Sequence, residues 1–414
     1  MSRFIKVLPQ GALLAALSLL SSCGGDDHCY NCGYIPSTPS YPSEVSLGLA
    51  AGNFNGNGHT SVIGTSTIEY HSFGNPGYLQ SYLSTGAGTF AAPALTAAGN
   101  DPLYLASADL NGDGLPDVVS ASYDDGDLEV FLSNTGSPGS FRTPIILASQ
   151  GASQLAIGDM NNDGLPDIVS ADFNVSLFLQ TAPGVFAAPV TLYSGGANWV
   201  AVGDLNHDGI ADIALADATG VKVLMHTGAA SASTYAAPIT MFTQTANAHL
   251  SGANVVAIAD VNGDGYDDLI ITDPGPTGGA MPTVSVLLQN AASPGTFLTP
   301  VSYAIAPQSL VQSIVVTDVN GDGHPDIVIG GSNAVTVLLQ DTATPGTFGA
   351  ASIYPASNAN EIAVADVNGD GFPDIITATG ATQPLVNGIY TNTPGVLLQS
   401  ATTRGTFGAL ENLP

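Results

Sequence analysis

Short apolar segments alternate with turns rich in Gly, Asn, Asp and Pro along most of this sequence. One set of segments reads LYLASAD (103–109), DVVSA (117–121) and LEVFLSN (128–134), and the same three kinds of segment return in the same order further along the chain. Short β-forming segments with a turn signal about every 8 to 12 residues are typical of antiparallel sheets. The pattern therefore predicts an all-β protein.

A nine-residue loop follows the first segment of each set and marks an internal repeat. It reads DLNGDGLPD from Asp109, and a degenerate copy, NFNGNGHTS, starts at Asn53. Five further close copies start at Asp159, Asp204, Asp260, Asp318 and Asp366. The starts lie 45 to 58 residues apart, near the length of one propeller blade. Seven units over residues 44–414 predict a seven-bladed β-propeller of four-stranded antiparallel blades.

Two further patterns fit this arrangement. Just before each loop, large apolar residues alternate with Ala or Gly, as expected where blades converge on a common axis. An aromatic residue is expected to begin the fourth strand of each unit. These residues are Phe90, Phe141, Phe186, Tyr235, Phe297, Phe348 and Phe407.

The six close copies of the loop carry the oxygen donors of a calcium site. Calcium takes six to eight oxygen ligands, which a tight loop supplies from alternate positions. Glycine at position 6 provides the positive φ that turns the chain around the ion. The expected ligands are side chains at positions 1, 3, 5 and 9 and the backbone carbonyl at position 7: Asp109, Asn111, Asp113, Leu115, Asp117; Asp159, Asn161, Asp163, Leu165, Asp167; Asp204, Asn206, Asp208, Ile210, Asp212; Asp260, Asn262, Asp264, Tyr266, Asp268; Asp318, Asn320, Asp322, His324, Asp326; and Asp366, Asn368, Asp370, Phe372, Asp374.

We expect about six Ca²⁺ ions with a structural role, because five protein oxygens per ion leave little room for a substrate. The alternative is that such strings are simply turn formers. In the first unit Asn53, Asn57 and Ser61 replace all three carboxylates, so this copy is expected to be a metal-free turn.

The repeated motif resembles the FG-GAP/VCBS repeat family. The resemblance rests on D-x-N-G-D-G-x-P-D-[IV] followed by V-x-V-L-L-Q and P-G-T-F, and it extends over all seven units. The family includes the propeller of integrin α subunits and many bacterial secreted proteins and lipoproteins. It implies a calcium-binding propeller, but its members serve adhesion, lectin activity and, with added domains, hydrolysis.

The charge of the chain narrows the choice of partners. Thirty-four Asp and Glu residues stand against five Lys and Arg, a net charge of −29. A chain this acidic cannot neutralise phosphates, which argues against nucleic acid and anionic membrane surfaces as partners. Cations are its natural ligands, and 18 of the 34 acidic residues are expected calcium ligands.

The N-terminus is predicted to be a lipoprotein signal peptide, residues 1–22. Arg3 and Lys6 precede an apolar run that is too short to span a bilayer. LSSC (20–23) resembles the lipobox of bacterial lipoproteins, in which Cys23 would be lipidated; the alternative is an ordinary signal peptide. Residues 23–43 are expected to form a flexible tether to the cell envelope, in which Cys29 and Cys32 either stay free or form a local disulfide.

A ligand is expected on the face opposite the loops, where the connections vary most in length. At the start of the innermost strands this face carries Tyr104, Gln154, Trp199 and Glu361. Aromatic rings and amides suit a sugar, but the alternative that Tyr104 and Trp199 only fill space between blades stays open.

The sequence favours a binding or adhesion protein for a glycan or protein ligand over an enzyme. No nucleophile motif, zinc motif or cluster of basic residues is present, and we expect no catalytic residues. Two alternatives stay open: a glycosidase with two catalytic carboxylates, because 16 acidic residues lie outside the expected calcium ligands, and a surface scaffold that binds nothing.

Overall fold

The protein is described by a computed structural model over residues 48–67, 76–149, 151–228, 234–243, 255–273, 282–305, 311–357, 359–378 and 394–413. Within these ranges the chain is all-β, and no helix there is long and apolar enough to cross a membrane. The predicted signal peptide, Cys23, the tether with Cys29 and Cys32, and most of the long loops 272–282 and 377–395 lie outside the described residues.

The strands form seven four-stranded antiparallel sheets, which confirms the predicted propeller. Blade 1 contains β1 (Leu49–Gly52), β2 (Ser61–Thr67), β3 (Pro76–Tyr82), a small hairpin of β4 (Ser84–Gly86) and β5 (Thr89–Phe90), and β6 (Ala94–Asn100). Blade 2 contains β7 (Pro102–Ala108), β8 (Asp117–Ser122), β9 (Asp127–Phe131) and β10 (Ile145–Ala148). Blade 3 contains β11 (Gln154–Gly158), β12 (Asp167–Ala171), β13 (Val175–Phe178), a hairpin of β14 (Gln180–Ala182) and β15 (Val185–Phe186), and β16 (Val190–Tyr193). Blade 4 contains β17 (Trp199–Gly203), β18 (Asp212–Asp217), β19 (Gly220–Leu224) and β20 (Ile239–Thr243).

The last three blades repeat the same plan. Blade 5 contains β21 (Val256–Ala259), β22 (Asp268–Asp273), β23 (Thr283–Leu287) and β24 (Val301–Ala304). Blade 6 contains β25 (Val311–Thr317), β26 (Asp326–Gly331), β27 (Ala334–Leu338) and β28 (Ser352–Pro355). Blade 7 contains β29 (Ile362–Ala365), β30 (Asp374–Thr377), β31 (Gly395–Gln399) and β32 (Phe407–Asn412).

The hydrophobic core is divided among the junctions between blades. Seven clusters of buried residues are present, one at each junction, including the junction of blade 7 with blade 1. The first strands contact one another in order around the axis, and β1 contacts β29. Blade 7 takes all four strands from its own repeat, so the ring closes by packing rather than by strand exchange.

Small residues in the first strands allow the blades to approach the axis. A Cβ added at Gly203 would lie 2.4 Å from a side-chain atom of Ile258 in the next blade. A Cβ at Gly48 would lie 2.6 Å from the backbone of Leu105. Real Cβ contacts are essentially never below 3.0 Å, so the predicted alternation of large and small residues has a steric cause.

The prediction that the fourth strand begins at an aromatic residue is wrong for six of the seven blades. In these blades the aromatic residue pairs only with the residue just past the end of the third strand, as Phe141 does with Ser133, and the outer strand begins later. Proline follows the aromatic residue in five of them, at 93, 144, 189, 238 and 300, and it cannot donate to the ladder. Blades 6 and 7 both lack this proline; β28 still begins later, at Ser352, whereas β32 begins at Phe407.

Candidate functional site

The six close copies of the loop, here called the acidic loops, connect the first and second strands of blades 2 to 7. Their carboxylates hold the turn in shape. In blade 2, Asp109 accepts hydrogen bonds from the backbone N–H of Gly112 at 2.7 Å and of Gly114 at 2.8 Å. Asp113 accepts one from Leu115 at 3.0 Å. Gly114 has φ +86°, which confirms the positive φ predicted for position 6.

The Asp at position 9 is the most buried group of each acidic loop. Asp117 is 0% exposed and accepts two backbone N–H groups, from Leu110 at 2.9 Å and from Ser133 at 2.7 Å. It therefore joins its own loop to the residue just past the end of the third strand. The same pair of bonds is made by Asp167, Asp212, Asp268, Asp326 and Asp374.

Burial raises the pKa of these six carboxyl groups, although the backbone N–H groups oppose the shift. The pKa rises from 3.8 to about 6 for Asp117, Asp167, Asp326 and Asp374, and to about 7 for Asp212 and Asp268. The carboxylates at positions 1 and 5 of the same loop add to the rise by repulsion. Each acidic loop thus contains three carboxylates, at positions 1, 5 and 9, whose negative charges repel one another.

The degenerate loop of blade 1 has the same turn without these charges. The side-chain amides of Asn55 and Asn57 both donate to the carbonyl oxygen of Ser84 at 2.7 Å. Ser61, at position 9, accepts the N–H of Ser84 through its hydroxyl at 3.0 Å. Neutral donors therefore occupy this loop, whereas the acidic loops have carboxylates at positions 5 and 9.

The donors of the acidic loops fit a hard cation. Within the described ranges, no group of three or more His, Cys, Asp or Glu residues lies close enough together to hold a metal ion, so a cation would also need the Asn oxygen at position 3 and the carbonyl at position 7. Two side-chain oxygens at expected ligand positions are buried without a hydrogen-bond partner among the described residues: Asp113 Oδ2 at position 5 and Asn206 Oδ1 at position 3. Arg142 approaches Asp113 only to 3.9 Å.

Among the described residues, the acidic loops of blades 2, 4, 5, 6 and 7 are also hydrogen-bonded to the next blade around the ring. The carbonyl at position 2 of blade 2, Leu110 O, accepts the N–H of Gly184 in blade 3 at 3.2 Å. At the closing junction, Val367 O of blade 7 accepts the N–H of Gly88 in blade 1 at 3.1 Å. The acidic loops and the turns after the third strands therefore share one side of the ring, as predicted; we call it the loop face, and the opposite side the rim face.

The sequence analysis missed the glutamine that ends the V-x-V-L-L-Q motif. Gln399 Nε2 donates to Val319 O of blade 6 at 2.6 Å and to Pro373 O at 2.7 Å, while its Oε1 accepts the N–H of Gly405. Gln340 makes the equivalent three bonds. The repetition of Gln at this place was the available signal.

The rim face brings together the four residues predicted for ligand binding. The rings of Tyr104 and Trp199 meet edge to face, with centroids 5.7 Å apart, although they belong to blades 2 and 4. Both side chains are half-buried. Burial and, after it, the Glu361 carboxylate of blade 7 raise the pKa of the Tyr104 hydroxyl. The four side chains thus lie around the axis rather than in separate blades.

Gln154 connects blade 3 to blade 4. Its amide exchanges two hydrogen bonds with the backbone of Val200 in blade 4, accepting at 2.7 Å and donating at 3.2 Å. Because Gln154 is only 3% exposed, its position suits joining blades 3 and 4 better than touching a ligand.

The basic residues of the described chain do not converge with these groups. Lys222 forms an ion pair with Asp217. Arg404 donates to Gly321 O and lies over the ring of Phe372 on the loop face. With Arg142 beside Asp113, all three are engaged away from Glu361.

Five segments of the sequence match the FG-GAP-like repeat family: 53–120, 109–170, 159–215, 260–329 and 318–377. Together they cover more than half of the chain. The chain belongs to the FG-GAP-like repeat family. A propeller built from these repeats fits a binding or scaffold role. No curated protein matches the sequence significantly.

Several solved structures share the fold at low sequence identity. An Agrocybe aegerita lectin that recognises non-reducing terminal N-acetylglucosamine has a TM-score of 0.51 and 19% identity, covering 75% of this chain and 80% of its own. A Bacteroides uniformis protein assigned provisionally as a 6-phosphogluconolactonase has a TM-score of 0.54 and 11% identity, covering 84% and 94%. A Lactobacillus plantarum protein has a TM-score of 0.51 and 13% identity, covering 85% and 95%. At these identities the likeness shows the fold alone.

The raised pKa values predict how the metal-free protein responds to pH. A carboxyl group with a higher pKa in the folded than in the unfolded chain binds more protons when folded, so stability falls as pH rises between the two values. In a chelator, the melting temperature should therefore fall from about pH 4 to about pH 7. Asp212→Asn should make this slope shallower. A melting temperature that rises over the same range would contradict the assignment.

Proposed function

We propose that this FG-GAP-like propeller is a calcium-stabilised binding protein of the cell envelope that takes a glycan or protein ligand on its rim face. The observation that supports this most is the meeting of Tyr104, Trp199 and Glu361 around the axis. A half-buried aromatic pair beside polar groups is typical of ligand sites on concave surfaces. On the loop face, by contrast, the loop side chains are engaged with the backbone.

Calcium is the metal that best matches the acidic loops. Each offers carboxylate, amide and carbonyl oxygens and no sulfur or imidazole at the expected ligand positions, since His324 would contribute its backbone carbonyl. A divalent cation would offset the repulsion that raises the pKa of the position-9 carboxyl group. The Asn55 and Asn57 amides occupy the corresponding loop of blade 1, which supports six ions rather than seven.

Binding is a better match than catalysis for the groups on the rim face. Glu361 is the one acidic residue among the four predicted rim residues, and a glycosidase of the usual kind needs two carboxyl groups flanking one bond. The His residues at 207 and 324 lie in the acidic loops on the other face. A bare scaffold would leave the aromatic pair without a role beyond packing.

The proposed location is the bacterial cell envelope, with Cys23 carrying the lipid anchor and residues 23–43 acting as the tether. A lipid on the N-terminus would leave the propeller free to turn its rim face toward partners. The net charge of −29 disfavours direct attraction to anionic lipid headgroups, so membrane association would depend on the acyl chains.

A screen of the calcium-loaded chain against glycan and extracellular-protein arrays should find a ligand whose affinity depends on Trp199. We expect Trp199→Ala to lose roughly 1–3 kcal/mol of binding free energy, from an aromatic contact and its buried area. Tyr303→Ala, an aromatic change in the outer strand β24, is the matched control and should leave affinity unchanged. A Trp199→Ala variant that melts lower but binds normally would show that the ring is structural.

Removal of calcium should destabilise the propeller. Binding at a free concentration a hundredfold above Kd contributes about 2.7 kcal/mol per site, so EDTA should lower the melting temperature markedly. Mass spectrometry under native conditions should count about six ions, and Asp322→Asn should reduce the count by one. Asn57→Asp, the matched change in blade 1, should add none. An unchanged melting curve in EDTA would refute the proposal.

Replacement of Cys23 by Ser should release the protein from membranes. Several acyl chains on one cysteine hold nearly irreversibly, whereas a single chain binds only marginally. Detergent partitioning and mass spectrometry of the N-terminal peptide measure the anchor directly. If the Cys23→Ser protein stays with the membrane fraction, the lipid is not what holds it there.

A further inference from the structure

One position of the first strand forms a ring around the axis on the rim face. We call it the axial ring: Gly48, Tyr104, Gln154, Trp199, Val255, Ser313 and Glu361. Its members connect in a closed circuit. Trp199 packs on the cluster of Val255 and Val311, and Ser313 Oγ and the carbonyl oxygen of Ala359 both lie next to Gly330. Between Glu361 and Tyr104 the ring position is Gly48, which has no side chain. The Glu361 carboxylate adds to the effect of burial in raising the pKa of the Tyr104 hydroxyl.

The part of the axial ring in blades 6 and 7 holds buried polar atoms without partners. Ser313 is 1% exposed and Glu361 5%, and neither Ser313 Oγ nor Glu361 Oε2 has a hydrogen-bond partner among the described residues. The same is true of Gln312 Oε1 and of both polar atoms of Asn360, which is 0% exposed. Native proteins rarely leave buried polar atoms unpaired. A cluster of such atoms therefore indicates that a bound molecule supplies the missing hydrogen bonds.

The unpartnered atoms are mainly acceptors. The oxygens of Gln312 and Asn360 can only accept, the Ser313 hydroxyl can do either, Glu361 can only accept while it is ionised, and the Asn360 nitrogen is the single obligatory donor. Glu361 also lacks a compensating cation, because the three basic residues of the described chain are engaged elsewhere. The molecule that pairs these atoms must therefore donate several hydrogen bonds and carry positive charge.

The aromatic half of the axial ring suits the same kind of group. Tyr104 and Trp199 stand nearly perpendicular, at 83°, and both are half-buried. A cation near the face of a Trp or Tyr ring is attracted by the negative charge of that face. Tyr104, Trp199 and Glu361 all belong to the axial ring, so a cation bound at the axis would face both halves.

We propose that the axial ring binds a protonated primary amine, with the ammonium group donating to Glu361 and its neighbouring acceptors and the attached carbon chain lying against Tyr104 and Trp199. A primary ammonium has three donors and no acceptor, which matches the unpartnered atoms. The assignment rests on the proposed function, because it names the chemical class of ligand for the rim face. The amine belongs either to a lysine side chain of a protein ligand or to an amino sugar.

The experiment uses the single Trp of the chain as its reporter. Trp199 is that residue, so its fluorescence responds to events in the axial ring. Titration of the full calcium-loaded protein with pentylamine should give a saturable change, whereas 1-pentanol, the neutral molecule of equal size, should give none. Nα-acetyl-lysine amide and glucosamine then distinguish a peptide source from a sugar source.

Two matched variants test the role of the carboxylate. Glu361→Gln should raise the Kd for pentylamine at least tenfold. Glu129→Gln makes the same change at another buried glutamate, 7% exposed and in β9 away from the axis, and should leave the Kd unchanged. Burial raises the pKa of Glu361 well above its ordinary value, so the neutral Gln is compatible with folding; the melting temperature checks this.

Equal responses to pentylamine and pentanol, or a Glu361→Gln variant that binds the amine like the parent, would overturn the amine assignment. The array screen separates this failure from that of the proposed function. A ligand without an amine that depends on Trp199 and not on Glu361 would leave the rim-face binding function standing and the amine assignment refuted. If no ligand is found and no amine binds, both fail.

Discussion

A carboxylate with no exposed surface, at position 9 of each acidic loop, is the interaction on which the rest of the structure depends. In blade 2 it is Asp117, which binds the N–H of Leu110 in the loop and that of Ser133 just past the end of the third strand. Being the first residue of the second strand, it fixes three parts of the blade at one point. In blade 1 the hydroxyl of Ser61 keeps only the bond to the residue past the third strand, Ser84, while the loop N–H of Phe54 donates to Gly52 O.

The junction also orders the ring, because the residue that donates to this carboxylate has a carbonyl that faces the next blade. Leu110 donates its N–H to Asp117 and accepts from Gly184 of blade 3. A single residue, Leu110, thereby joins the buried carboxylate of one blade to the turn of the next. Residues on the loop face make hydrogen bonds between the blades, so their identities are constrained. Residues on the rim face can therefore differ from blade to blade.

Most of the fold could be predicted because it repeats. Seven similar units make the strand pattern clear even where one strand alone would be ambiguous. The recurrence of glycine at position 6 also indicates directly that this position has a positive φ. The start of the outer strand was mistaken because the aromatic residue was more conspicuous than the proline after it, for example Pro144. The bonds made by Gln399 were missed because a motif shows that a residue recurs, without showing which carbonyl of another blade it reaches.

The rim residues were identified one at a time, but their mutual contacts were beyond the sequence. Tyr104 and Glu361 are separated by most of the propeller along the chain and come onto the same ring only because β1 contacts both β7 and β29. The amide of Gln154 was grouped with ligand-binding residues on its chemistry, whereas its partner is the backbone of Val200. Which side chains face one another around the axis depends on the number of blades and on which ring position is a glycine, here Gly48.

Every blade is made from one uninterrupted repeat. The seam between blade 7 and blade 1 has a buried cluster like the other six junctions, and a loop-to-turn hydrogen bond like the one between blades 2 and 3. Propellers that close by exchanging a strand cannot change their blade number without rebuilding the shared sheet. Here a duplication or deletion of one repeat in the gene would add or remove a whole blade with both of its surfaces intact. The architecture is therefore open to evolutionary change in ring size, and each such step would renew the set of side chains presented at the axis.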